Sequence, residues 1–340
     1  MERKSTKYIT ILTKRLKLGK YMNNSNELNF LIHLIQDKKE IALKLIPKIN
    51  LKKLIKISSK ELLIPSLFFK LKKFKLLKHF PCDFIEYIQK IHQINYNRNL
   101  KLIDEVKFIS EIFKIEKIEF VLIKGSSFIF DEEYILNERM IGDIDILVKK
   151  DKLQKAQQKL KDFGFTNSAD LKKIRSSEHR HLPRLIKKNN LFAVEIHSRC
   201  FSKENNIISS EIILDKKINK KWTSIPNRLH QLLINILSFQ INDRGRLKFK
   251  VSLRSISDSL TIIKDKEETY KEVNFNETYI NEYLTLCEYL GFNKLSKKIN
   301  FKRNITYLTL YKILNSNLYI YLTYMYVVKL IGVIIYWVKK

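Results

Sequence analysis

The spacing of apolar residues changes twice along this 340-residue chain, and these two changes limit its fold more than any other feature. Across residues 28–117 apolar side chains recur every three or four positions, which predicts amphipathic helices, one of them long and starting at Pro81. Across residues 118–197 short apolar runs and strict alternation predict strands around a helix that ends at Gly164, with residues 182–186 and 192–197 as paired strands. Helical spacing returns after Pro226 and continues to the C-terminus. The pattern predicts an α+β fold in which a compact sheet lies between two helical regions.

These changes divide the chain into three predicted regions. Residues 1–117 form an N-terminal helical region, residues 118–225 an α/β core and residues 226–340 a C-terminal helical region. No internal repeat and no long linker rich in Gly, Ser or Pro separates them. We therefore expect closely packed lobes of one body, long enough to bury a sizeable core.

The net charge of +30 suits a nucleic acid, an anionic lipid or a polyphosphate as partner. Lysines are spread over the whole chain, however, and only 7 Gly and 5 Pro accompany them, so a biased composition explains the charge equally simply. No stretch interleaves basic and aromatic residues as a platform for single-stranded nucleic acid does. Charge alone decides no function.

The three cysteines, Cys82, Cys200 and Cys287, are distant in sequence and odd in number, which disfavours a disulfide framework or a Cys-based zinc site. The first 20 residues carry several Lys and Arg and no uninterrupted apolar stretch, so no secretory signal is expected. We expect a cytoplasmic location.

A membrane question arises at the C-terminus, where residues 318–338 are almost wholly apolar and aromatic and are about long enough to cross a bilayer. Lys329 lies near the middle of this segment, and a charge in hydrocarbon is costly. A buried helix is therefore favoured. Peripheral contact with the inner face of the membrane stays as the alternative.

The chemistry-bearing pattern is the strand that contains Asp143 and Asp145. Residues two apart on a strand share a face, so both carboxylates project to one side while Ile144 and Ile146 point to the other. Adjacent carboxylates repel each other unless a cation such as Mg²⁺ compensates them. Asp-x-Asp alone favours a solvated strand end, so its context must decide.

Two further features give that context. Lys124, Gly125 and Ser126 follow an apolar strand and precede a predicted helix over residues 127–132, where backbone amides and a hydroxyl can hold a phosphate, although plain turns look similar. Glu195 alternates with apolar residues on another strand and supplies a third carboxylate for a two-metal site, unless it is exposed.

These residues resemble a known family. Residues 124–126, 139–148, 164–165 and 194–197 are similar, in this order, to the uncharacterised nucleotidyltransferase family called NTP_transf_5, within the polymerase-β superfamily. The likeness extends over most of the chain and includes a later helix around residues 253–258. It implies a polymerase-β-like nucleotidyltransferase core with a small mixed sheet.

The resemblance also implies roles for individual residues. Gly125 and Ser126 would form a phosphate-binding turn, Asp143 and Asp145 would bind metal, and Glu195 would be the third acidic ligand. The stretch from Ser126 to Asp143 is longer than in the better-known superfamily members, which leaves the part played by Ser126 open.

Other polar residues have weaker assignments. Lys124 and Arg139 are candidates for neutralising triphosphate charge, with Arg139 favoured because it directly precedes the Asp-Ile-Asp strand. His179, His181 and His197 are placed for substrate contact but are more often structural, and zinc ligation is not expected. Arg254 and Asp258, four apart on one helix face, are expected to form a structural ion pair.

The sequence therefore predicts a metal-dependent, nucleotide-binding transferase. It would transfer a nucleoside monophosphate from a nucleoside triphosphate, ATP among them, to an unidentified protein, RNA, small-molecule or glycan acceptor, and release pyrophosphate. Mg²⁺ or Mn²⁺ is the expected cofactor. Two alternatives stay open: a transferase of phospho-substituents to cell-surface glycans, and a non-catalytic basic protein that binds nucleic acid or membrane.

Overall fold

The computed structural model describes residues 25–131, 138–168, 180–202, 208–264 and 277–338. The described N-terminal part is entirely helical, as predicted. Ser25 and Asn50 begin two of these helices by accepting hydrogen bonds from backbone N–H groups of the first turn. The helices are α1 Asn26–Ile35, α2 Lys39–Leu45, α3 Leu51–Lys60, α4 Ile64–Lys73 and α5 Cys82–Ile115, with short 3₁₀ turns at Ile46–Lys48 and Leu77–His79.

Helix α5 spans 34 residues and begins directly after Pro81, which confirms the long helix predicted there. Its first half buries Phe84 and Ile88 among the N-terminal helices. Its second half buries Val106 and Phe113 against the sheet. One helix thus belongs to two hydrophobic cores.

A five-stranded mixed sheet follows, in the order β1-β2-β5-β4-β3. Strands β2 and β5 pair in parallel, and the other neighbouring pairs are antiparallel. The predicted α+β class is confirmed, as are the strand pair expected at residues 182–186 and 192–197, with shifted bounds. The strands are β1 Phe120–Leu122, β2 Asp143–Val148, β3 Phe165–Asn167, β4 Leu185–Lys187 and β5 Ala193–His197.

In the described part of the chain, two helices lie between these strands. Helix α7, Leu153–Asp162, follows a 3₁₀ turn at Lys150–Lys152 and ends before Gly164, whose φ of 87° confirms the predicted glycine stop. Helix α6, Lys124–Phe128, begins earlier than expected. The helix was predicted over residues 127–132, and its predicted start is therefore wrong. Gly125 and Ser126 lie within the first turn of the helix, because the chain already turns into the helix at Lys124.

The described C-terminal part consists of helices and one small hairpin. Its elements are α8 Ser210–Asp215, β6 Lys217–Asn219, β7 Ser224–Pro226, α9 Arg228–Leu237, a π-helical turn Ser238–Asn242, α10 Leu253–Ile262, α11 Thr278–Tyr289, α12 Asn293–Lys298, α13 Ile305–Ser316 and α14 Leu318–Val338. Strands β6 and β7 pair only with each other.

The two faces of the five-stranded sheet pack into different cores. Ile144 and Ile146 of β2 join α5 and α7 in one core, as the alternation predicted. Leu147, on the other face, belongs to a larger core in which residues such as Leu67 and Leu284 bring together helices from both ends of the chain. The face that carries Asp143 and Asp145 is therefore the one that meets the larger core.

The C-terminal helix α14 corrects an expectation. Tyr321 is buried and Tyr324 packs beside it, but Tyr319 is 79% exposed and Tyr326 is 63% exposed. The predicted burial of this segment is wrong for most of the side chains that the structure describes, because only one face of the helix contacts the protein. In the described part of the chain, no helix combines the length and the apolar character needed to cross a bilayer.

Candidate active site

The parallel pairing of β2 with β5 builds the centre of the site. Asp145 is the register partner of Glu195, and Leu147 is the partner of His197. Because pleated strands place these side chains on a shared face, Asp145, Glu195 and His197 converge, and one ligand atom from each lies within 4.8 Å of the others. All three residues are buried.

Asp145 is the most enclosed carboxylate, with 3% of the residue exposed. Its Oδ1 atom accepts hydrogen bonds from the Lys124 ammonium and from His197 Nε2, the latter at 2.8 Å. Burial alone would raise the pKa of Asp145, but Lys124 and His197 outweigh it and hold that pKa below its usual value. Both partners contact the same oxygen, which leaves Oδ2 for another ligand.

Arg184 joins the other two carboxylates. One guanidinium nitrogen lies 3.0 Å from Asp143 Oδ2 and 2.9 Å from Glu195 Oε1. Burial, followed by the charges of Asp145 and Glu195, raises the pKa of Asp143 to about 6. Burial also acts to raise the pKa of Glu195, but the interaction with His197 outweighs burial and holds that pKa below its usual value. Three carboxylates thus share one small volume and differ in their proton affinity.

His197 is fully buried beside these acids. Its Nε2 atom also lies 3.5 Å from Glu195 Oε2, and its Nδ1 atom is buried without a hydrogen-bond partner among the described residues. The His181 ring lies 5.0 Å from the His197 ring, between centroids. His179 lies outside the described residues. The sequence placed His197 only for substrate contact, whereas the structure makes it part of the acidic cluster itself.

The predicted phosphate turn has a structural component. Ser126 is completely buried, and its hydroxyl donates to the Ile123 carbonyl at 2.9 Å and accepts from the Asp145 N–H at 3.2 Å. The hydroxyl thus joins the start of α6 to β2. Lys124 has a φ of 54°, in the left-handed region, which costs roughly 1 kcal/mol for a residue with a side chain. This backbone turn directs the Lys124 side chain to Asp145.

Arg139 approaches Gly125 from the other side. A Cβ atom added to Gly125 would lie 2.5 Å from Arg139 Nη1. Asp258 accepts hydrogen bonds from Arg139 Nε and Nη2, each at 3.0 Å. The expected ion pair of Arg254 with Asp258 is therefore wrong, because the side chain of Asp258 faces Arg139 and not along its own helix.

The sequence comparison agrees with this arrangement. Residues 47–260 match the family described as uncharacterised nucleotidyltransferases, NTP_transf_5. The chain belongs to this nucleotidyltransferase family. The match covers more than half of the chain and includes every residue of the acidic cluster, Lys124, Arg139 and Asp258. No curated protein matches the chain.

In this nucleotidyltransferase, the residues present fit a divalent cation. Carboxylate oxygens from Asp145 and Glu195 and an imidazole nitrogen from His197 form one compact donor set. Positive charge already lies against these acids, supplied by Lys124 and Arg184. The Arg184 side chain is 44% exposed, so it can move aside for an ion. Asp143 is not one of these three donors, and its link to them is Arg184, which binds both Asp143 and Glu195.

Sequence reasoning missed two partners of the predicted residues. Arg184 was not predicted, although the expected hairpin over residues 182–197 would have paired it near Glu195. Asp258 was assigned to the wrong arginine, since 119 positions separate it from Arg139. Of these two partners, only Arg184 could have been found from the sequence, through its position in the expected strand pair.

Proposed function

We propose that this protein transfers a nucleoside monophosphate from a nucleoside triphosphate to an acceptor, with release of pyrophosphate. The observation that carries the proposal is the register of β2 and β5, which sets Asp145 beside Glu195 with His197 against both. A buried group of acids of this kind is typical of sites that bind divalent cations for phosphoryl chemistry. Membership of the nucleotidyltransferase family supports the same reaction class.

Asp145 and Glu195 would hold the cation, with Asp143 joining when Arg184 moves away, and His197 would supply a nitrogen ligand or orient Asp145. When bound, the Mg²⁺ or Mn²⁺ ion would polarise the phosphate oxygens and lower the pKa of the acceptor hydroxyl. An imidazole in the donor set suits Mn²⁺ better than Mg²⁺. Both ions therefore belong in the test.

The remaining steps fall to the chain itself. An acceptor oxygen attacks the α-phosphorus, the bond from that phosphorus to the β-phosphate oxygen breaks, and the acceptor proton passes to Glu195. Lys124 and Arg139 would neutralise the charge that collects on the leaving pyrophosphate. Gly125 has no side chain and lies against Arg139, so its backbone can approach the triphosphate closely. Ser126 supports the turn through its bond to Asp145.

The test is metal-dependent turnover of labelled nucleoside triphosphates by the purified protein, with a cell extract as the source of acceptors. Asp145→Asn should lower the rate at least about a hundredfold, because it removes a charge that holds the ion. Asp151→Asn is the matched control, since Asp151 is an exposed acid three positions after β2. Undiminished transfer by Asp145→Asn, at a concentration where the variant is folded, would contradict the proposal.

The same experiment identifies the acceptor. Label found on protein, RNA, a small molecule or a glycan would each assign the acceptor class, and label on a cell-surface glycan would favour the phospho-substituent transferase. Binding of nucleic acid or vesicles without any turnover would favour a non-catalytic role. Each of the four bases is tested separately, which also determines the nucleotide preference.

A further inference from the structure

A cavity whose lining contains no residue of the acidic cluster lies among the helices contributed by the two ends of the chain. Its volume is about 320 Å³, within the usual size range of a small-molecule site. Apolar side chains, among them Leu28, Phe239 and Leu290, form part of its wall. None of the residues assigned to the nucleotidyltransferase site lines it.

The polar part of the wall is dominated by positive charge. Four cationic side chains line the cavity, namely Lys60, Lys248, Lys250 and Arg254, against the two acids Glu61 and Asp243. Glu61 is already engaged, since its Oε2 accepts hydrogen bonds from the Ser252 hydroxyl at 3.2 Å and the Leu253 N–H at 3.0 Å. The cavity therefore has more cations than carboxylates to pair with them.

Arg254 is the cation of this cavity whose surroundings are least favourable for a positive charge. It is half-buried, and the charges of Asp258, Glu61 and Asp243 act to favour its charged form. It lies in the first turn of α10, where the helix dipole is positive and disfavours a cation. Burial, and then the nearby charge of Arg139, lowers the pKa of Arg254.

Lys250 has a similar environment. It is half-buried and lies over the ring of Tyr321, with its Nζ 5.6 Å from the ring centroid. Burial lowers the pKa of Lys250, and the charges of Lys60 and Lys248 lower it further. Partly buried cations without paired anions reduce stability, whereas a bound anion would offset both desolvation and repulsion.

We propose that this cavity binds a small molecule that carries a phosphate monoester on an apolar or aromatic body. The phosphate contacts Arg254 and Lys250, because a guanidinium and an ammonium recognise a phosphate dianion through charge-assisted hydrogen bonds. The apolar body lies against Phe239 and Leu290. The lining of this cavity contains none of the three residues Asp145, Glu195 and His197.

The test is calorimetric titration of the full-length protein with phenyl phosphate at low salt. We expect saturable binding of one molecule per chain, with weaker binding of inorganic phosphate and of phenol, since each offers only half of the contacts. Arg254→Gln and Lys250→Gln should each weaken binding about tenfold. Lys90→Gln, at an exposed position of α5 outside the cavity, should change it less than about twofold.

Two further measurements distinguish binding in this cavity from binding at the acidic cluster and from a purely structural role of the two cations. Asp145→Asn should bind phenyl phosphate as the native protein does, because Asp145 does not line the cavity; loss of binding would assign the ligand to the acidic cluster. Arg254→Gln and Lys250→Gln should melt at or above the native temperature when no ligand is present. Binding that resists both variants, or melting temperatures that both variants lower, would overturn the proposal.

Discussion

Among single residues, Asp143 shows most clearly how negative charge exceeds positive charge in the site. Asp143, Asp145 and Glu195 face only two strong cations among the described residues, Lys124 and Arg184. Lys124 contacts Asp145, and Arg184 divides its hydrogen bonds between the other two acids. Asp143 therefore bears much of the mutual repulsion, and burial followed by this repulsion raises its pKa.

Replacing Asp143 should stabilise the metal-free protein in a pH-dependent way. Its pKa rises from 3.8 to about 6 on folding, so its ionisation lowers the stability of the folded state as pH increases through that interval. Asp143→Asn cannot ionise. Relative to the native protein, the variant should gain about 2 kcal/mol more at about pH 7.5 than at about pH 4.5.

Urea unfolding in the presence of a chelator measures this difference. The control is Asp151→Asn, which removes an exposed charge and should show no comparable dependence on pH. A variant that loses stability at the higher pH would mean that the ion pair of Asp143 with Arg184 outweighs the repulsion.

Among the site residues, those on one strand could be predicted and their partners on other strands could not. Alternation along β2 and β5 was enough to place Asp145 and Glu195 opposite the apolar side chains of their strands. It could not specify which residue of β5 lies opposite which residue of β2, so the contact of His197 with Asp145 was not foreseen. The roles of the predicted site residues in catalysis stay predictions.

Helix α6 is the element in which a small change should have the largest effect. Its first turn contains Gly125, whose missing side chain leaves room for Arg139, and Asp258 fixes Arg139 from the opposite side. The guanidinium thus has little freedom to retreat. Helix α6 thus sets the spacing between the Gly125 backbone and the Arg139 guanidinium.

Gly125→Ala should therefore lower nucleotide transfer about tenfold or more, mainly through a raised KM for the triphosphate, because the new methyl group displaces the guanidinium. Steady-state kinetics measure this effect. Gly142→Ala is the matched control, since a Cβ atom there meets nothing within 4 Å, and it should retain activity.

A double variant strengthens the test. If the methyl group acts by displacing Arg139, then Gly125→Ala combined with Asp258→Asn should be less harmful than the two separate effects multiplied, because both changes act on the same guanidinium. Independent effects would argue that Gly125 acts through its backbone alone.

The start of α6 illustrates why element boundaries were harder to predict than element types. The sequence correctly predicted a strand followed by a helix, but a left-handed lysine is an unusual way to begin a helix, and nothing in local propensity indicates it. Lys124 adopts this conformation where its side chain binds Asp145, so a tertiary contact compensates the backbone strain.

At the scale of the whole molecule, each hydrophobic core combines residues that are distant in the sequence. The three regions were predicted from periodicity, which reports only local burial, and the division of the chain into these regions stays a prediction. The larger core nevertheless combines both helical regions with one face of the sheet. Sequence spacing contains no information on which distant helices pack together, so this sharing could not be predicted.

The predicted α/β core should consequently not fold alone. A fragment of residues 118–225 would expose Val121, Phe128 and Leu147, which the complete chain buries against helices from both ends. We expect this fragment to lack a cooperative thermal transition, whereas the full chain shows one. Circular dichroism at increasing temperature distinguishes the two results, and a sharp transition in the fragment would make residues 118–225 an independent domain.

Helix α5 also determines how this protein can move. Its two halves are anchored in different cores, and an unbroken helix bends only gently. A hinge between the N-terminal helices and the sheet would have to break it. We therefore expect substrate access to depend on side-chain movements, such as that of the 44% exposed Arg184, and not on one lobe closing upon the other.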